Sequence, residues 1–299
     1  MSRRLVALLL VLLCPGCGGS GGGNDKIVVG SKNFTEQVVL GELVAQQIEA
    51  HTKLKVERRF YLGGTYIAHQ ALVSGRIDLY VEYTGTALTV ILNQPAVHDA
   101  GMAFEQVRDG YANRFGLKVA PSLGFENTFA MVIRGDDARR LNVHTLSEAA
   151  KHAPDWRAGF GYEFLERPDG YPGLAETYGL QFATEPRIMD LGLLYRALAD
   201  KQVDLVAGNS TDGPIQALDL WVLEDDRHYF PPYEAVPIVR GATIEAHPEV
   251  LEALQGLAGK ISAADMRRLN QAVDGEGKNV ADVIREFLRT LSAKTTATP

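Results

Sequence analysis

Tyr83, Thr84, Gly85 and Thr86 fall near the end of the stretch Ser74 to Leu88, and their types suit the binding of a small charged molecule. Ile77 to Val81 has the β-branched and aromatic content of a strand, and Ala87 to Leu92 is an apolar run that reads as helix. Where a strand turns into a helix, the first helical N–H groups lack intrahelical partners and can receive an anion. Gly85 would let a ligand approach the backbone there. Tyr83 adds an aromatic face that attracts a cation. The combination fits a molecule that is cationic at one end and a carboxylate at the other.

Other chemistries lack their residues. There is no Gly-x-Ser-x-Gly elbow and no phosphate loop, and Gly159-Phe160-Gly161 lacks the third glycine of a dinucleotide fingerprint. The histidines form no close metal-ligand pair. An enzyme, a cofactor and a metal are therefore not expected. The formal net charge is −7, and the chain has no Lys/Arg stripe interleaved with aromatics, which argues against nucleic acid.

The elements that must position these residues alternate. Ile27 to Gly30 reads as a strand, Thr35 to Ile48 as a helix with Glu36 in its first turn, Val56 to Leu62 as a strand, and Gly63-Gly64-Thr65 turns into another helix. This spacing argues for an α/β fold with a mainly parallel sheet. Phe104 to Phe115 reads as a helix, and Gly124 to Asn127 interrupts strand-like pieces before the alternation restarts. Ala71-Leu72, Ile77-Asp78-Leu79 and Tyr83-Thr84-Gly85 align without gaps with Ala197-Leu198, Val203-Asp204-Leu205 and Asn209-Ser210-Thr211, which suggests two similar lobes. In the domain organisation this suggests, 27–126 and 226–292 form the first lobe, 127–225 the second, and two crossings make a hinge. Residues 293–299 are expected to be a flexible tail.

At 299 residues and 46% hydrophobic, the chain can fill two cores. Arg3 and Arg4 precede the apolar run Leu5 to Leu13, so 1–16 reads as a signal peptide, too short to span a bilayer. Both cysteines, Cys14 and Cys17, lie at this end, so disulfides are excluded from the folded part. Cys17 followed by glycines resembles a lipoprotein anchor and tether over 17–26. The expected location is periplasmic or cell-surface, held to a membrane through Cys17.

Gly30 to Gln37, Glu82 to Thr86, Phe164 to Gly170, Ser210 to Gly213 and Pro231-Pro232-Tyr233 together resemble the substrate-binding proteins of osmoprotectant ABC importers, the glycine betaine/carnitine/choline type, over about 27–290. The resemblance implies a type II periplasmic-binding-protein fold, in which two lobes close on a quaternary-ammonium ligand in the cleft between them, and a monomer that delivers this ligand to a membrane permease. It places Tyr83 and Tyr233 on the aromatic cage around the trimethylammonium group, with Phe129 beside Asn127 on a third position. Asn209 stands where the family has tyrosine. Lys32, Thr86 and Arg167 match positions that hold the carboxylate, which an arginine can meet with two parallel hydrogen bonds. The lost ring leaves room for carnitine, choline, another betaine or ergothioneine, and a ligand sensor acting on a membrane receptor is the alternative role.

Overall fold

All five residues of Leu79–Tyr83 are buried, Glu82 included, as in a strand covered on both faces. In the computed structural model, which describes residues 26–296, this strand lies in the middle of one of two five-stranded sheets. The ten strands are β1 (Lys26–Gly30), β2 (Lys55–Arg59), β3 (Leu79–Tyr83), β4 (Leu117–Val119), β5 (Phe129–Arg134), β6 (Ala158–Phe160), β7 (Arg187–Ile188), β8 (Leu205–Asn209), β9 (Leu220–Val222) and β10 (Ala235–Arg240). The first sheet has the order β2-β1-β3-β10-β4 and the second β7-β6-β8-β5-β9. In each, three strands are parallel and the remaining two pair antiparallel.

The two sheets are built alike, and β3 and β8 hold the same place in them. Asp78, just before β3, accepts from the Val28 N–H at 2.8 Å and pairs with Arg240 at 3.3 Å. Asp204, just before β8, accepts from the Arg157 N–H at 3.0 Å and pairs with Arg134 at 2.8 Å. The aligned aspartates thus perform the same task in both lobes, tying the start of β3 or β8 to a parallel neighbour on one side and to the C-terminal end of an antiparallel one on the other.

Apolar side chains cover both faces of each sheet. Beneath the first, Val39, Leu43 and Val44 of helix Thr35–His51 pack with Met266 and Ile284 from the C-terminal helices. Across it, Leu72, Leu88, Val107 and Tyr111 form a second core. Met131, Phe160 and Leu205 centre one core of the other sheet, and Val132, Leu198 and Val206 the opposite one.

The chain crosses between lobes after β4 and again after β9. The crossings lie side by side: the Asn127 N–H donates to the Tyr233 carbonyl at 3.0 Å, and the Ala235 N–H to the Phe125 carbonyl at 3.1 Å. Several expectations change. The last helix runs Val280–Thr296, so the tail expected from residue 293 is helical as far as Thr296. Ala87–Ile91 is a π-helix after a single α-turn. The signal peptide, Cys17 and the tether up to residue 25 lie outside the described residues.

Candidate ligand-binding site

Lys32, Tyr83, Thr86, Asn127, Phe129, Arg167, Asn209 and Tyr233 all line one cavity of about 540 Å³ between the two sheets. The ends of β3 and β8 supply Tyr83 and Asn209, the crossings supply Asn127 and Tyr233, and Phe129 opens β5. Arg167 follows the short helix Tyr162–Glu166 of the second lobe.

Both cations are already engaged. Lys32, 3% exposed, donates to Glu82 at 2.5 Å and to Thr65 Oγ1 at 3.3 Å, which leaves one ammonium hydrogen without a protein acceptor among the described residues. Its Nζ stands 5.1 Å from the centre of the Tyr83 ring. Arg167 directs Nε and Nη2 at Asp169, at 2.8 and 2.6 Å, and Nη2 also reaches Thr86 Oγ1 at 2.9 Å. Its two-pronged face is therefore spent on Asp169, not on a ligand. Nη1 is the guanidinium nitrogen left for one. The expected two parallel bonds from Arg167 to a ligand carboxylate are corrected accordingly: the guanidinium forms a buried ion pair with Asp169. Beside Asp169 the guanidinium stays charged, and Arg167 in turn holds the Asp169 carboxyl below its usual range against the effect of burial.

The aromatic side of the cavity is a packed wall. Phe129 meets Phe164 at 4.7 Å, Phe230 at 5.7 Å and the edge of Tyr233 at 5.9 Å between ring centres. The Arg167 guanidinium lies 4.9 Å from the centre of the Phe129 ring. Tyr233 donates its hydroxyl to Asp169 at 2.7 Å, and Tyr83 to Glu36 at 2.7 Å. With both hydroxyls turned into protein carboxylates, these tyrosines have their rings to offer.

In the turn after Tyr83, the first N–H group is engaged within the protein. The Thr84 N–H donates to the Glu234 carbonyl at 3.0 Å. Gly85 serves packing: a methyl group there would stand 2.8 Å from the Pro232 carbonyl oxygen and 2.8 Å from the Tyr233 ring. The glycine admits Tyr233, and Tyr233 forms the wall.

Sequence motifs assign Glu36 and Glu163 no role in the site. Glu36 carried only the signal of a first-turn helix acid; it is buried and faces inward. Glu163 of the second lobe accepts from the Thr65 N–H at 2.7 Å, at the start of helix Thr65–Val73 in the first lobe, and so closes a contact across the cleft. Met189, Asp190 and Leu191 also line the cavity from the second lobe.

Asn209, in place of a ring, is anchored by Asp212. Its Nδ2 faces the two Asp212 oxygens at 3.2 and 3.4 Å, and its backbone N–H donates to Asp212 at 2.9 Å. A carboxylate only accepts, so the amide presents Oδ1 elsewhere. Burial pushes the Asp212 carboxyl up to about 6, opposed by the Tyr195 hydroxyl and reinforced by nearby Glu36. Between pH 3.8 and about 6 the folded protein then holds a proton that the unfolded chain has released, so this group's contribution to stability falls as pH rises through that window. Across that window, denaturant unfolding should show wild type losing on the order of 3 kcal/mol relative to Asp212→Asn as pH rises. Parallel stability curves for the two proteins would contradict it.

A two-lobed α/β chain with a part-aromatic, part-charged cavity between its lobes defines a type II binding protein. Similar proteins agree with this class. A family model described as the substrate binding domain of ABC-type glycine betaine transport system matches residues 25–290. The carnitine transport binding protein OpuCC of Listeria monocytogenes is 35% identical over 302 aligned residues, covering 97% of each chain. The ergothioneine transport permease/ergothioneine binding protein EgtU of Helicobacter pylori is 35% identical over 266 residues, 89% of this chain but 47% of that protein. A crystal structure of a glycine betaine/carnitine/choline ABC transporter protein superposes with a TM-score of 0.74 at 35% identity, over 88% of this chain and 98% of that one. The chain belongs to this family of substrate-binding domains, and it is a transport component, not an enzyme. Among the described residues no helix is long and apolar enough to cross a membrane.

Proposed function

We propose that this chain captures a small quaternary-ammonium solute in the interlobe cavity and delivers it to a membrane permease. The observation that carries the proposal is the meeting, in one cavity, of the Tyr83, Phe129 and Tyr233 rings with the spare donors of Lys32 and Arg167. A quaternary ammonium has no hydrogen to donate, so ring faces supply its attraction, at about 0.5–2 kcal/mol per desolvated contact. The wall charges support a cation as well. Lys32 and Arg167 are each neutralised by a buried carboxylate, while Glu163, Glu166 and Asp190 line the same cavity. Relatives bearing the names carnitine transport binding protein and ergothioneine binding protein favour the same class of solute.

Asn209 refines the choice. With Nδ2 held by Asp212, its Oδ1 is suited to accept from a ligand hydroxyl or ring N–H. Carnitine, choline and ergothioneine carry such a donor, and glycine betaine does not. Calorimetric titration of residues 24–299 with these four, after unfolding and refolding to remove carried-over solute, should show tight binding of at least one donor-bearing ligand and weaker binding of glycine betaine. If none of the four binds, the quaternary-ammonium assignment is wrong; if glycine betaine binds tightest, the role given to Asn209 is wrong.

A further inference from the structure

Glu36 is 1% exposed and has no cation paired with it among the described residues. Four donors converge on its two carboxylate oxygens, and they come from four parts of the chain. Tyr83 OH, at the end of β3, donates to Oε1 at 2.7 Å, and Asn127 Nδ2, on the first crossing, donates to the same oxygen at 2.7 Å. Asn270 Nδ2, on helix Ala263–Asn270, donates to Oε2 at 2.9 Å, and the Thr211 hydroxyl, just beyond β8 in the second lobe, donates to Oε2 as well. Asn270 also donates to the Thr211 carbonyl at 2.9 Å, so the second-lobe turn is held twice.

We propose that Glu36 is a positioning residue that fixes the Tyr83 ring for the ligand and fastens the second lobe to the first through Thr211. An unpaired buried carboxylate is tolerable only while enough donors surround it. Burial raises the Glu36 carboxyl above its ordinary range, and the four hydrogen bonds act against that rise. Withdrawing Thr211 as the second lobe swings away would remove one of the four. The remaining three belong to the first lobe and the crossing, so the carboxylate favours the arrangement in which the second lobe is present. A second close contact fits the same place: Gly213 lies so near Gln271 that a methyl group would stand 2.7 Å from its Cα. The turn 211–213 is thereby seated against the C-terminal helices.

Glu36→Gln keeps the shape but replaces one acceptor oxygen with an NH₂ group, which faces donors. The binding arm rests on the ligand class proposed above; the lobe-distance arm does not. For the second arm, spin labels at Lys53→Cys in the first lobe and Lys201→Cys in the second report the interlobe distance, and both positions are exposed. Residues 18–299 contain no native cysteine to confuse them.

Without ligand, Glu36→Gln should shift this distance distribution to longer values than in wild type. With the ligand that wild type binds best, it should weaken affinity about tenfold or more, and Tyr83→Phe/Glu36→Gln should bind no more weakly than Glu36→Gln alone, because the two changes remove one shared interaction. A destabilised but otherwise passive residue would give additive losses and an unchanged distance distribution, and that pair of results overturns the proposal. If Glu36→Gln does not fold, Thr211→Val removes the second-lobe donor alone and must produce the same distance shift. Failure of wild type to bind any of the four solutes would count against the ligand class and leave the distance arm to decide on Glu36.

Discussion

Lys32→Met should destabilise the folded protein by about 3–5 kcal/mol, the range for removing one partner of a buried ion pair. The cause is Glu82, fully buried in β3, which would be left without its cation. Two donors would remain to it, the Tyr80 hydroxyl at 3.0 Å and the Tyr83 N–H at 2.8 Å. They satisfy lone pairs without cancelling the charge. Lys32→Met/Glu82→Gln should therefore recover most of the loss, because no uncompensated charge is then buried. Denaturant unfolding of the three proteins checks this. A single-variant loss below about 1 kcal/mol, the value of a surface pair, or a double variant no better than the single, would show that the pair is not buried in the way described.

Tyr83→Ala and Tyr233→Ala should each weaken ligand binding by about tenfold or more, equivalent to about 1.4 kcal/mol. Each removes a ring from the cavity wall, and Tyr233→Ala also opens the space against Gly85 and strips Asp169 of one donor. The phenylalanine variants separate ring from hydroxyl: Tyr233→Phe keeps the face toward the cavity and should lose much less affinity than Tyr233→Ala. Calorimetry at a temperature where every variant is folded is the measurement. Unchanged affinity in both alanine variants would sink the assignment of the rings to the ligand.

The alternation of helix and strand was legible because both periods stand out in the sequence, and the repeated Asp78 and Asp204 segments marked two strands that occupy the same place in two sheets. The antiparallel insertion of β10 beside β3 was not, since it depends on a pairing between residues far apart in the chain, as between Tyr83 and Ala235. The site divides similarly. Eight of the lining residues could be named from the sequence, whereas most of their partners could not. Lys32 and Arg167 announce positive charge, but only the fold reveals that Glu82 and Asp169 consume most of it. Glu36 carries the pattern of an ordinary first-turn acid, and the donors that surround it arrive from residues as distant as Asn270. Gly85 suggested room for a ligand, and the room is filled by Tyr233, brought there by the return crossing. The C-terminal helix was underestimated because its apolar spacing ends at Leu291 although its backbone stays helical to Thr296.

The paired crossings have a mechanical consequence. Asn127 and Tyr233, which share a backbone hydrogen bond, are also cavity residues, so part of the pocket is built on the axle itself. For any rotation of one lobe about these two segments, points on the axle hardly travel, while points far from it sweep wide arcs. Tyr66 and Tyr162 stand on opposite lips of the cavity, and both are more than half exposed. A solute resting against Tyr233 would thus keep its footing as the lips part, and the gap between the lips, not the seat, would control its passage in and out.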